Sequence, residues 1–383
     1  MTRPCLGWCT LACSTPAAMP IFMDIHIVPG VNAKDVADAH RKDLFHQEKY
    51  SCKCMTYWID ESRGTIFCLI DAPDKETVEK LHGEAHGLIP NKIIEVRNDL
   101  VESFLGRIYD PNDAVVTPDG LKVFHDPSLR IILVTKIIDP ILLRQALGTS
   151  EANDLLRKHN HAVRKTLPGY NGREVEHPGI GFIISFTSAK DAVACATALQ
   201  VEMEQYAASL GFKIAINAGE PVGNDDDLFG DTIKLAKYLS SVATPSCIIL
   251  SNAVKELVAK DVLVDRDHSF FSVSPGDEIL LVQLFDTLEA HWQAPDFNLD
   301  DYCQSMAMSK SQLYRKTIGL TGLSPNLLVK EFRLEKAREM MKKQFYNISQ
   351  VTFDSGFTSP SYFTKCFKKK YGLLPMNYVE LLQ

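Results

Sequence analysis

The chain has 383 residues, two to three times the size of an ordinary domain, so two to four domains are expected. Its apolar fraction of 45% and charged fraction of 23% exclude a largely disordered or collagen-like chain, and no window approaches the ~18 consecutive apolar residues of a membrane span. The net charge of −7 is unevenly spread: residues 294–383 hold 13 Lys+Arg against 8 Asp+Glu, and the rest holds 28 against 40. A basic tail on an acidic body is the asymmetry expected where one domain meets a polyanion. The ten cysteines are scattered without a repeated CxxC pair, which predicts a reduced, cytoplasmic protein.

Met1–Ala18 carries Arg3 before a weak apolar run, but Thr10, Ser14, Thr15 and Pro16 break that run. It reads as a disordered extension or a start codon placed too early, not as a secretion signal. Residues 19–98 read as strand (Ile21–Val28), helix (Ala33–Glu48), hairpin (Cys52–Ile59 and Thr65–Asp71), helix from an Asp74 cap to His86, and strand (Ile93–Val96). That order predicts a ferredoxin-like α/β sandwich within a multidomain α+β chain. Residues 99–128 read as a connector broken by Pro111, Pro118, Gly120 and Pro127.

Residues 129–288 read as a second α/β unit. Strands are expected at Ile131–Ile137, Ile180–Phe186, Lys213–Ala218, Cys247–Leu250 and Asp277–Phe285. Helices are expected at 153–166, Ala189–Leu210 and Asp231–Ser240. Residues 289–383 read as all-helical.

The tail repeats itself at an offset of 50 residues: Ser309/Ser359, Ser311/Ser361, Leu313/Phe363, Arg315/Lys365, Gly322/Gly372 and Pro325/Pro375. Each copy has the grammar of a helix-turn-helix. In the second, Gly356 permits a left-handed turn, Thr358 or Ser359 caps a helix, and Phe363, Phe367 and Tyr371 share one face. A helix from Pro325 to about Lys343 joins the copies and would be about 28 Å long, close to the ~34 Å spacing of successive major grooves. With Met308–Arg315, Arg333–Arg338 and Gly356–Lys368 as carrying segments, the tail resembles the double helix-turn-helix domain of the AraC family of bacterial transcription regulators. The resemblance implies duplex DNA as partner, with contacts from Ser311, Tyr314 and Arg315 in one helix and Ser361, Tyr362 and Lys365 in the other. Arg or Lys can pair with guanine O6/N7, and hydroxyls serve bases or phosphates.

Through Gly172–Val175, Gly179–Phe186, Asn217–Val222 and Asp227–Thr232, residues 129–288 resemble the class III adenylate and guanylate cyclases. That chemistry requires two aspartates to hold two metal ions. The resemblance places Lys136 and Ile180 at those positions, and neither ligates a hard cation. Asp227 stays acidic, and Lys234 and Lys237 stand where the family has its asparagine and arginine. The expectation is therefore no enzymatic activity, with a degenerate site (Lys136, Ile180, Asp227, Lys234, Lys237) that either binds an anionic small ligand or has become a homodimerising scaffold.

Five of the eleven histidines lie in residues 19–98. Asp24 and His26 share a strand face, Cys52 and Cys54 share another, and His82 and His86 are i, i+4 on a helix. Imidazole with thiolate suits nickel, zinc or copper. Through Met23–His26, Ala39-His40, Ala72-Pro73 and His82–Gly87, this segment is similar to a small family of ferredoxin-like nickel-binding proteins. Candidate ligands are His26, His40, His82 and His86, with Cys52 as a further one. Together these features predict a cytoplasmic, non-membrane transcription regulator whose N-terminal domains sense a metal or small ligand, or dimerise, and so shift its DNA affinity. The alternative is a metal-binding protein or nucleotide-binding cyclase homologue in which DNA binding is secondary.

Overall fold

The computed structural model describes residues 19–244, 247–258, 270–343 and 347–382; the segment 1–18 lies outside the described residues. The chain divides into two compact units, one of residues 19–102, 106–128 and 226–228, the other of 103–105, 129–225 and the chain from 229 on.

The first unit is built as β1 (Ile21–Ile27), α1 (Ala33–His46), β2 (Lys53–Asp60), β3 (Thr65–Asp71), α2 (Lys75–Ala85) and β4 (Lys92–Val96). Its four strands form an antiparallel sheet in the order β2-β3-β1-β4, the ferredoxin-like topology expected. Asn32 caps α1, and Asp74 caps α2 by accepting from the Thr77 amide. The register sets Asp24 opposite Cys68, on the face that also carries Phe22 and Ile70. The expected connector is more than a linker. It contains α3 (Asn98–Leu105) and a hairpin of β5 (Val115–Val116) and β6 (Lys122–Val123), and it buries Leu121 and Phe124 in this unit's core. Phe124 stacks on Tyr57 at 4.2 Å, and Arg107 donates to Tyr57 O while lying over the Trp58 ring. Breaker residues shaped the turns, but apolar side chains between them decided the packing.

The second unit carries a six-stranded sheet in the order β12-β11-β10-β7-β9-β8: β7 (Arg130–Lys136), β8 (Arg173–Glu176), β9 (Ile183–Phe186), β10 (Lys213–Gly219), β11 (Ile248–Leu250) and β12 (Phe270–Ser272). β10, β11 and β12 run parallel, and the other neighbours are antiparallel. Helices α4 (Pro140–Leu147), α5 (Thr149–Thr166), α6 (Ala189–Leu210), α7 (Gly230–Val242) and α8 (Asn252–Leu257) surround it. The strand expected from Ile180 begins only at Ile183. At Gly181 a Cβ would fall on the Thr135 carbonyl, 1.9 Å away, so the chain runs there too close to β7 for any side chain.

The strand expected at Asp277–Phe285 is a helix, α9 (Pro275–His291). Ser274 caps it, Pro275 opens it, and Asp277 and Glu278 lie in its first turn. Its apolar residues Leu280, Leu281, Leu284, Phe285 and Leu288 are all buried, covering a wide helical face that can pass for a buried strand when read as a run. The boundary expected between residues 288 and 289 falls inside this helix.

Beyond α9 come α10 (Leu299–Ser305), α11 (Lys310–Thr321), α12 (Pro325–Lys342), α13 (Ile348–Asp354), α14 (Pro360–Tyr371) and α15 (Pro375–Glu380). Asn298, Ser309, Ser324, Asn347 and Ser359 cap α10 to α14 in turn. Phe363 and Phe367 of α14 are fully buried with Leu334, Ala337 and Val351. Among the described residues no helix is long and apolar enough to cross a membrane.

Candidate metal centre and nucleic-acid interface

In the first unit, β1, β3, α1 and α2 bring a cluster of ligand-type side chains together. His82, on the buried side of α2, directs Nε2 to Asp24 Oδ2 at 3.0 Å and Nδ1 to Asp43 Oδ1 at 3.1 Å. His86, one turn on, places Nε2 2.9 Å from His82 Nδ1 and 3.2 Å from Asp43. His26 Nε2 lies 3.2 Å from Asp24 Oδ1, yet neither ring nitrogen of this buried histidine makes an aligned hydrogen bond. One donor atom each from Asp24, His26, Cys68 and His82 falls within a 4.8 Å span, as does one each from Asp43, His82 and His86.

Burial works against a charged His82, but Asp24 and Asp43 push its pKa up to about 10. Burial also raises Asp24, and His82 and His26 outweigh it to hold this carboxyl well below its ordinary range. The Cys68 thiol is pushed well up by burial, so it is neutral without a metal ion beside it. A buried imidazole whose Nδ1 has no hydrogen-bond partner, set among nitrogen, sulfur and carboxylate donors, fits a transition metal better than magnesium or calcium.

Of the residues expected as ligands, the structure gathers His26, His82 and His86. His40 stands apart, 3.7 Å from Asp110 and beside the Tyr57 ring, and burial lowers its pKa. Cys52 also stands apart: its thiol faces the Tyr50 carbonyl at 3.5 Å, and burial pushes it up to about 11. Asp24, Asp43 and Cys68 are additions, Asp24 being expected only to share a strand face with His26. The β1–β3 register places Cys68 across from Asp24, and no spacing within one element announces it. Asp43 is one turn beyond His40 on α1 and was within reach of a helical-face argument.

In the second unit, α11 and α14 present the expected DNA-contact residues. Ser311, Arg315, Ser361, Tyr362 and Lys365 are exposed, and Tyr314 is half-buried with its hydroxyl 3.5 Å from the Asn326 amide. Gly356 makes the turn before α14 at φ +77°. A Cβ there would strike the Trp292 carbonyl, which accepts from Arg333. A cleft of about 450 Å³ separates the two helix-turn-helix halves, lined by Asn298, Asn326, Lys330, Arg333, Thr358 and Tyr362 among others.

The positions expected to form a degenerate nucleotide site are not brought together as an anion pocket. Lys136 is paired with Glu335 at 3.4 Å and Lys234 with Asp286 at 3.0 Å, while Lys237 points to solvent. Ile180 sits in the turn and accepts from the Ile137 amide. Asp227 is exposed and belongs to the other unit.

Residues 302–380 match the family model described as a helix-turn-helix domain, and residues 22–96 match that of the nickel responsive protein SCO4226-like family. The tail is an AraC-type helix-turn-helix domain. The chain is 32% identical over 99 residues to the HTH-type transcriptional regulator MtrA of Neisseria gonorrhoeae, covering 26% of this chain and 31% of that protein. It is 30% identical over 133 residues to putative adenylate cyclase 3 of Rhizobium meliloti, covering 31% of this chain and 23% of that one. The chain thus spans less than a third of either relative. Among solved structures, SCO4226 of Streptomyces coelicolor is 32% identical, covering 20% of this chain and 94% of that one, with a TM-score of 0.19. Residues 22–96 thus carry an SCO4226-like domain and residues 302–380 an AraC-type domain, and the chain also has cyclase-like relatives.

Proposed function

We propose that the chain is a sequence-specific DNA-binding transcription regulator whose SCO4226-like domain binds a transition metal ion, nickel being the first candidate. The observation carrying the DNA reading is the pair of capped helices α11 and α14, each holding its apolar face in the core and its Ser and Arg or Lys residues outward, with Tyr362 exposed on the second. The metal reading rests on the buried Asp24–His26–Cys68–His82 group and on the His26 ring, whose nitrogens make no aligned hydrogen bond. A bound ion would supply the positive charge that two buried carboxylates call for, and would take the Cys68 proton's place.

The cyclase-like domain acts as a non-catalytic body. Lys136 and Ile180 offer no ligand to a divalent ion, and Glu335 already engages Lys136. Cyclic nucleotide produced by the purified chain from ATP or GTP with Mn²⁺ would overturn this.

The deciding experiment selects binding sites from a random duplex pool, with Ni²⁺ and with chelator. A selected motif supports the DNA reading, and an affinity that differs between the two conditions supports the sensor. A pool that stays random refutes the first. A motif with equal affinity in both refutes the second.

A further inference from the structure

We propose that Lys136 and Asp139 are positioning residues for DNA recognition: they clamp helix α12, so that the cyclase-like domain sets the separation of the two recognition helices. This rests on the reading that α11 and α14 enter duplex DNA.

Asp139 caps α4 by accepting from the Ile141 amide at 2.9 Å, and its side chain is wholly inaccessible. A carboxylate buried with a single cap bond would be strongly unfavourable. Its other partners all come from the AraC-type domain. Arg338 of α12 approaches to 3.2 Å, Lys342 of α12 pairs with it, and the Tyr378 hydroxyl of α15 donates to it at 3.1 Å. Three residues upstream, at the end of β7, Lys136 pairs with Glu335 of α12. Glu335 in turn meets Arg338 at 3.1 Å and Lys370 of α14 at 3.9 Å. Charge contacts therefore run without a gap from the cyclase-like sheet, through the connecting helix, to the second recognition helix. Ile141 adds an apolar anchor in the core that holds Leu334, Phe363 and Tyr378.

The first helix-turn-helix is tied down separately. Tyr302 donates to the Leu284 carbonyl of α9 at 3.0 Å, and Leu313 and Leu328 share a core with Leu281 and Leu284. Each recognition helix is thus fastened to the same body by its own contacts. Buried ion pairs contribute little net stability, because desolvation offsets their attraction, but they are exacting about geometry. The cyclase resemblance gives this end of β7 to a metal-binding aspartate. Here a lysine stands in that place and takes a carboxylate from the connecting helix.

Two half-sites bound by a pre-organised pair of helices gain affinity only at the matching separation. The test uses the full chain and the motif it selects from a random duplex pool. Affinity is measured on that motif, on versions with its halves moved one base pair closer or farther, and on each half alone. For Asp139→Asn and Lys136→Met, the expected result is a tenfold or greater loss at the selected spacing, a smaller penalty for the shifted spacings, and half-site affinity within twofold of wild type. Lys136→Arg should keep the wild-type profile. Glu335→Gln, at a half-buried position, gives the same readout should Asp139→Asn fail to fold. An unchanged spacing profile, or equal losses on half-sites and full sites, overturns the proposal. Wild-type protein that selects no motif overturns the DNA reading itself, before any variant is made.

Discussion

Tyr378 donates its hydroxyl to Asp139 at 3.1 Å, across 239 positions of the sequence. The bond joins the last helix of the AraC-type domain to the cap of α4, and both residues are buried. Removing the hydroxyl by Tyr378→Phe leaves the ring in place and the carboxylate one donor short. The expected cost is about 1.5–3 kcal/mol, as for a hydrogen bond to a charged group, read as a lowered denaturant midpoint with an unchanged slope. No change in midpoint would mean that the two cations and the Ile141 amide suffice for Asp139.

Arg315→Ala and Lys365→Ala address the two recognition helices one at a time. Each should lose about 1–3 kcal/mol of binding if its side chain reads a base, with relaxed preference at one position of its own half-site. Loss of affinity that is uniform across sequences, with a shallower salt dependence, would reassign that residue to the phosphates.

Metal ligation can be mapped with Co²⁺, whose thiolate complexes absorb in the near ultraviolet. Cys68→Ser should abolish that band, and His82→Gln should abolish tight binding. Cys52→Ser and His40→Gln should leave both intact, because neither residue lies in the donor cluster. A band that survives Cys68→Ser but disappears in Cys52→Ser would move the site to the other end of the sheet.

The metal-free protein should show a pH-dependent stability that originates at His82. Its folded pKa of about 10 exceeds the ordinary 6.5, so the charged form stabilises the fold fully below about pH 6.5, and this contribution is lost as pH rises toward 10. Thermal unfolding followed between pH 6 and 10 should show the decline, and His82→Gln should flatten it. Because a metal ion must displace the His82 proton, metal affinity should move the opposite way and rise with pH over the same interval.

Much of this was legible in the sequence. The ferredoxin-like order followed from punctuation at Pro29-Gly30, Gly64 and Asp74, and helices α11 and α14 followed from the 50-residue repeat. The i, i+4 pair His82 and His86 lies within one helix, so its partnership needs no tertiary knowledge. Cys68 does, because the pairing of β1 with β3 decides what it faces. The same limit explains His40 and Cys52, which carry suitable chemistry but meet Asp110 and the Tyr50 carbonyl instead. The segment Asp277–Phe285 has the run of a buried strand because the helix it belongs to, Pro275–His291, buries residues toward two neighbours at once. That removes the one-sided polarity by which helices are recognised, and leaves the Ser274-Pro275 cap as its main local signal.

Helix α9 is also what makes the protein hard to take apart. Its Leu281, Leu284 and Leu288 sit in one core with Tyr238 and Ile249 from the cyclase-like side, and with Tyr302, Leu313 and Leu328 from the AraC-type side. The tail is therefore not a cassette. A chimera joined within residues 276–291 would divide a shared core between two parents whose side chains were never fitted to each other. A crossover placed before Ser274 carries the helix along but strips the sheet side of its cover. Shuffling this chain with others should succeed only where the cyclase-like domain and the AraC-type domain travel as a single inherited block.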